Sequence, residues 1–202
     1  MMNPYPLLII LFSALHFSGT TLNKVLPATL PEVMLAPLIV HDSKEDDEMI
    51  PWAPDRPLTW EDFLCEPQRN TDAVASTSTS LGLAYQIKNG KLTYQITCNF
   101  SKTRSWGLMK TNYILAHEQG HFDITEIFAR KLHKGLMEYT PNRNTFKKDI
   151  DDIYQSIIKQ KEAFQNTYDH ETDHSRKKAI QLEWLVKIKS LLKESQSYDN
   201  YP

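Results

Sequence analysis

Residues 115–123 read LAHEQGHFD and contain H-E-x-x-H. On a helix, residues four apart sit one turn above each other on the same face. His117 and His121 can therefore offer two imidazole nitrogens to one metal ion. Zinc takes such neutral nitrogen donors, adds a third protein ligand and, in reactive sites, keeps a fourth position open for water. The ion lowers the pKa of that water, and a carboxylate one residue from the first histidine can accept its proton as general base. The spacing thus predicts Zn2+ on His117 and His121, with Glu118 as the catalytic residue.

A lone histidine on an apolar helix face is usually a satisfied core residue. Two of them four apart with a glutamate between need more. Ile114, His117, His121, Ile124 and Phe128 follow one apolar stripe at three- and four-residue steps. Leu115, Glu118, Phe122, Thr125, Ala129, Leu132 and Leu136 follow the adjacent one. The motif therefore faces the interior, where an ionised glutamate is costly unless something pairs with it.

The elements that must position these residues are legible in outline. The motif helix is expected over about 110–139, stopped by Pro141 and Asn142. Before it, segments 75–88 and 91–100 alternate apolar and polar residues around Asn89-Gly90, a strong hairpin signal. Further upstream, Thr59 is expected to cap a short helical turn with Asp62 three residues on, and Trp52 and Trp60 read as core anchors. After the motif, a second helix is expected over about 145–167, a break at 168–174 and a third helix over about 175–195. The polar tail beyond is expected to fray. The fold class is α+β: a small antiparallel sheet, the long motif helix, then two more helices.

Geometry narrows the third ligand. From His121 to Tyr139 is about 18 residues, roughly 27 Å of helix. A short turn sends the second helix back antiparallel, and about 22 residues cover roughly 33 Å of return. The chain is then level with the motif as it reaches Tyr168–His174. Asp123 and Glu126 point elsewhere around the helix, His133 lies roughly 18 Å away, and His16 and His41 fall in upstream segments. Within 168–174, His174 is the expected third ligand, because imidazole suits zinc. Asp169 is the competitor, as a ligand or as an acceptor orienting a ligating imidazole. Tyr168 is expected either to polarise a substrate carbonyl or simply to pack.

At 202 residues the chain has room for one domain with extensions. A net charge of −2 leaves no basic footprint for nucleic acid. Cys65 and Cys98 are too few for a disulfide framework and form one bridge or none. Residues 6–17, PLLIILFSALHF, form an apolar run of signal-peptide length, too short for a comfortable membrane span. The expected organisation is a signal peptide or anchor at 1–20, an acidic, proline-containing linker or pro-segment at 21–49 and a folded domain at 50–198. The expected location is the periplasm or the exterior, with no stable membrane insertion once the leader is removed.

The stretches LTWEDF at 58–63, SW at 105–106, LAHEQGHFDI at 115–124 and YDHETDH at 168–174 resemble DUF922, a family of secreted bacterial proteins classed as predicted zinc-dependent proteases of the zincin-like group. Its second motif resembles Y-D-x-x-T-x-H-G. Tyr168, Asp169, Thr172 and His174 match, while Ser175 stands where glycine is usual. The resemblance implies a metallopeptidase acting on a peptide or protein substrate. Two rivals share the motif: a non-catalytic, metal-stabilised domain that binds an envelope partner, and an amidase acting on cell-wall peptide.

Overall fold

The computed structural model describes residues 48–68 and 71–202. The leader expected at 1–20, and all of the linker but its last two residues, lie outside the described residues. Those two belong to the fold. The Glu48 carboxylate accepts from Ser101 and Thr103, and strand β1, Met49–Pro51, pairs antiparallel with residues 99–101. No described helix is long and apolar enough to cross a membrane.

The architecture is α+β. Strands β3, Thr79–Lys88, and β4, Lys91–Ser101, form the expected hairpin. Asn89 (φ 53°) and Gly90 (φ 77°) both take the left-handed conformation, which matches the right-handed twist of the flanking strands. The sheet order is β1-β4-β3. The two-residue strands β2, Ala75–Ser76, and β5, Trp106–Gly107, pair separately. They divide the expected first strand in two, with a short break before Thr79. Alternate residues of the hairpin, Leu81, Ile96, Cys98 and Phe100, are buried.

Helix α1, Asn112–Glu138, carries the motif and packs against the hairpin and against the two helices that follow it, α2, Phe146–Thr172, and α3, Lys178–Glu194. Thr111 caps it, accepting from the Ile114 amide at 3.2 Å. An aromatic chain, Trp60–Phe63–Phe100–Phe122, joins the upstream segment, the sheet and the helix. The Trp60–Asp62 turn is held as expected, with the Thr59 amide donating to the Asp62 carboxylate at 2.7 Å. Trp52 does more than pack, because its Nε1 donates to Asp123 at 2.9 Å. Further along α1, Glu126 and Arg130 form a fully buried ion pair at 2.8 Å.

Three sequence expectations need correction. Helix α2, Phe146–Thr172, does not stop near 167. The polar stretch YDHET contains neither glycine nor proline and stays helical, so Tyr168 and Asp169 are helical residues. The break comes later, at Asp173, His174 and Ser175, which are consecutively left-handed (φ 51°, 49° and 72°). Helix α3 consequently begins at Lys178 and runs to Glu194. The tail does not fray: Tyr201 donates to Glu126 at 2.7 Å, and the Ile96 amide donates to the Pro202 carbonyl at 2.8 Å. Cys65 and Cys98 are both unpaired.

The left-handed run costs roughly 1–2 kcal/mol at each residue with a side chain. Ser175, with the largest φ of the three, stands where the family pattern resembled above has glycine. Ser175→Gly is expected to raise unfolding stability by roughly 0.5–1 kcal/mol, the relief of strain less the added entropy of the unfolded chain. Urea unfolding measures it, and an unchanged midpoint would mean the turn is not strained.

Candidate metal centre

The length of α1 and the short turn after it bring α2 back antiparallel, so Asp169 arrives opposite the motif. His117 Nε2 lies 3.1 Å and His121 Nε2 3.0 Å from the same oxygen, Asp169 Oδ1. These three residues are the group of ligand-type side chains whose donor atoms converge among the described residues. Donors about 2.0–2.1 Å from a tetrahedral ion stand roughly 3.3–3.4 Å from one another. The two nitrogen-to-oxygen distances are close to that edge length, all three donor atoms lie within 4.8 Å of one another, and two nitrogens plus one carboxylate oxygen would leave one position open on such an ion. The donor set fits a zinc-type ion.

Gln165 makes the case sharper. Its side-chain nitrogen donates to the His121 carbonyl at 2.9 Å and to Thr125 at 3.3 Å. A carbonyl only accepts, so the Gln165 amide is fixed in orientation and its oxygen faces His121 Nδ1. That nitrogen must carry the hydrogen. The lone pair of a neutral His121 then points from Nε2 at a carboxylate oxygen 3.0 Å away. Two acceptors face each other, and only a proton or a cation between them resolves the conflict. Burial disfavours a charged His121, but the hydrogen bond and charge of Asp169, with Glu118 and Gln165, raise its pKa above the ordinary 6.5. Burial likewise opposes the Asp169 carboxylate, yet hydrogen bonds from His117 and His121 hold it well below the usual carboxylate range.

Packing fixes the rings. Tyr168 is fully buried and stacks on His117, with centroids 4.5 Å apart and planes 24° apart. It meets His121 edge-on at 5.1 Å, and Trp184 of α3 covers its other side at 5.4 Å. His117 Nδ1 is buried without a partner among the described residues, so ring contacts with Tyr168 and His121 and the Nε2 contact orient that ring. Close approach of the helices requires Gly120: a Cβ there would sit 2.6 Å from the Tyr168 hydroxyl and 3.0 Å from its ring carbon.

The cluster opens on a cleft of about 500 Å3, lined by His117, Glu118, His121, Asp169 and His174 on one side and by residues 73–79 on the other. Glu118 is buried and accepts no hydrogen bond from the described residues, which leaves its carboxylate available to the cleft.

Two expected site residues are placed differently. His174 stands outside the converging group. Its backbone is left-handed, its side chain is 57% exposed, and its Nδ1 lies 3.6 Å from the Asp169 oxygen that the other two imidazoles share. The left-handed run turns the histidine to the rim, and the helical Asp169 takes the inner position. Tyr168 takes the packing position of the two expected for it: its hydroxyl donates to the His117 carbonyl at 3.3 Å inside the helix packing, and burial, then Glu118 and Asp169, push its pKa far upward. Gln165 escaped the sequence reading. Its signal was the four-residue step to Asp169, a shared face that becomes visible only when α2 is known to continue.

The family model described as "Bacterial protein of unknown function (DUF922)" matches residues 65–175, more than half of the chain. No curated protein and no solved structure matched the chain.

Gly120→Ala forces the Tyr168 ring away from α1. It is expected to cost about 1–3 kcal/mol, as overpacking does. Adding Tyr168→Phe, which removes the atom in closest conflict, should recover part of the loss. Thermal unfolding of the single and double variants measures this, and additive losses would contradict the contact.

Proposed function

This chain belongs to the DUF922 family, and we propose that it is an exported zinc-dependent metallopeptidase. His117, His121 and Asp169 hold the ion, and Glu118 is the general base. The observation that carries this reading is the convergence of two imidazole nitrogens on one Asp169 oxygen, at 3.1 and 3.0 Å, beside an uncommitted buried carboxylate in an open cleft. Three protein donors and a free side are the pattern of reactive zinc sites; purely structural sites are closed by four. Export is inferred from the apolar run at 6–17.

A bound zinc ion supplies a lowered water pKa and a polarised carbonyl oxygen. The chain's own residues do the rest. Glu118 takes the proton of the water that attacks the peptide carbonyl and returns it to the leaving amine nitrogen. Gln165 holds the His121 ring in the tautomer whose Nε2 lone pair faces the cluster. Tyr168 keeps the His117 ring from rotating. His174, at the rim of the same cleft, is the side chain placed to donate to a developing oxyanion, the role that buried Tyr168 cannot fill.

Glu118→Gln is expected to retain zinc and lose about 10^2–10^4-fold in peptide hydrolysis. Asp169→Ala should lose the metal. His174→Ala should keep the metal and turn over slowly. Metal content by elemental analysis, with hydrolysis of casein, peptide pools and cell-wall fragments, separates these outcomes. Undiminished turnover by Glu118→Gln would remove the mechanism, and full zinc content in Asp169→Ala alongside loss in His174→Ala would exchange the two ligand assignments.

A further inference from the structure

The cleft has a long axis whose ends the structure identifies. Residues 73–79 form one wall. At its start, Arg176 donates to the Asp72 carbonyl at 2.7 Å, near His174. At its end, the Thr79 hydroxyl bonds that of Thr125 at 2.8 Å, one turn beyond His121. One edge of β2 is bonded to β5. In the same wall, the Thr77 hydroxyl is buried with no partner among the described residues. The opposite wall is α2, which lines the cleft with Lys161, Gln165 and Asp169 at four-residue steps. Asp169 and Gln165 are committed to the histidines. Lys161 is not: it is half-buried and forms no ion pair with any described residue.

We propose that Lys161 is a specificity-determining residue that receives a carboxylate of the bound peptide, three to four residues from the bond aligned with the His117–His121–Asp169 centre. The spacing follows from the helix. Eight residues separate Lys161 from Asp169, about 12 Å along the axis, and extended chain advances about 3.3 Å per residue. Burial depresses the Lys161 ammonium below the ordinary lysine value, opposed by the charge of Glu162. A cation partly stripped of water, with no ion-pair partner among the described residues, gains from a carboxylate that enters with the ligand. The inference rests on the peptidase reading for its register, but not for its binding chemistry.

The test uses the full chain carrying Glu118→Gln, so that binding is read without turnover. The probes are N-acetylated hexapeptide pools in three forms: free carboxyl terminus, carboxyl-terminal amide, and amide with a fixed internal Glu compared with Gln. Fluorescence anisotropy by competition gives the affinities. Carboxylate-bearing pools are expected to bind about tenfold tighter than neutral ones. Lys161→Met, which keeps the apolar stem, should abolish the difference, and Lys161→Arg should preserve it. A preference confined to the free terminus identifies the chain end as the anion, and one confined to internal Glu identifies a side chain. An unchanged preference in Lys161→Met, or no preference in its parent, overturns the proposal. Loss of hydrolysis in wild type with the carboxylate preference intact would overturn only the peptidase reading.

Discussion

A single carboxylate oxygen shared by two imidazole nitrogens is the constraint that the rest of the molecule serves. Left to solvent, such groups drift apart and hydrate separately. Here Asp169 is held by the helix that carries it, and both rings are held by the helix opposite. Because Gln165 dictates where the hydrogen of His121 sits, the centre lacks a positive charge unless it acquires one. A partly desolvated carboxylate beside two imidazoles, one with its hydrogen directed at Gln165, is a site that either a proton or a small cation would stabilise.

Satisfying that constraint takes most of the fold. The two long helices must pass closely, and Gly120 against Tyr168 sets their separation. Tyr168 must be dry and immobile to act as a stop for the His117 ring, and Trp184 from α3 closes it from the far side. Glu126, Arg130 and Tyr201 form a second buried polar cluster further along α1. Arg130 also donates to the Leu192 carbonyl of α3 at 2.8 Å. Each member is hydrogen-bonded, as a buried charge requires, and together they bind α1 to α3 and to the tail.

Parts of this were legible in the sequence because they obey local rules. The motif helix is announced by its apolar stripe and stopped before Pro141, and the hairpin by Asn89-Gly90. The extent of α2 was not legible. Its last turns bury only Tyr168 and Thr172, so there is no periodic apolar signal to distinguish YDHET from a loop. That one error carried the ligand ranking with it. With 168–174 taken as a break, His174 outranks Asp169 on ligand chemistry alone. Once the helix continues, Asp169 shares a face with Gln165, and the left-handed turn after it swings His174 outward. The anchored tail was equally hidden, since it rests on two hydrogen bonds and on the Tyr198 and Tyr201 rings against His133 rather than on any periodic pattern.

The residues between the motif's histidines and just after them are also in use. Gln119 accepts from the Leu58 amide at 2.7 Å and donates to Asp123 at 2.8 Å, and Asp123 in turn holds Trp52. These bonds lie on the side of α1 turned toward the upstream segment, while the histidines are gripped from α2. Rolling the helix about its own axis would therefore tear hydrogen bonds on two sides at once. The opposite wall of the cleft rests on two-residue strands and a few backbone contacts. Compliance in the groove is thus lopsided: the reactive wall behaves as an anvil, and whatever shape adjustment a guest requires must come from the thin wall facing it.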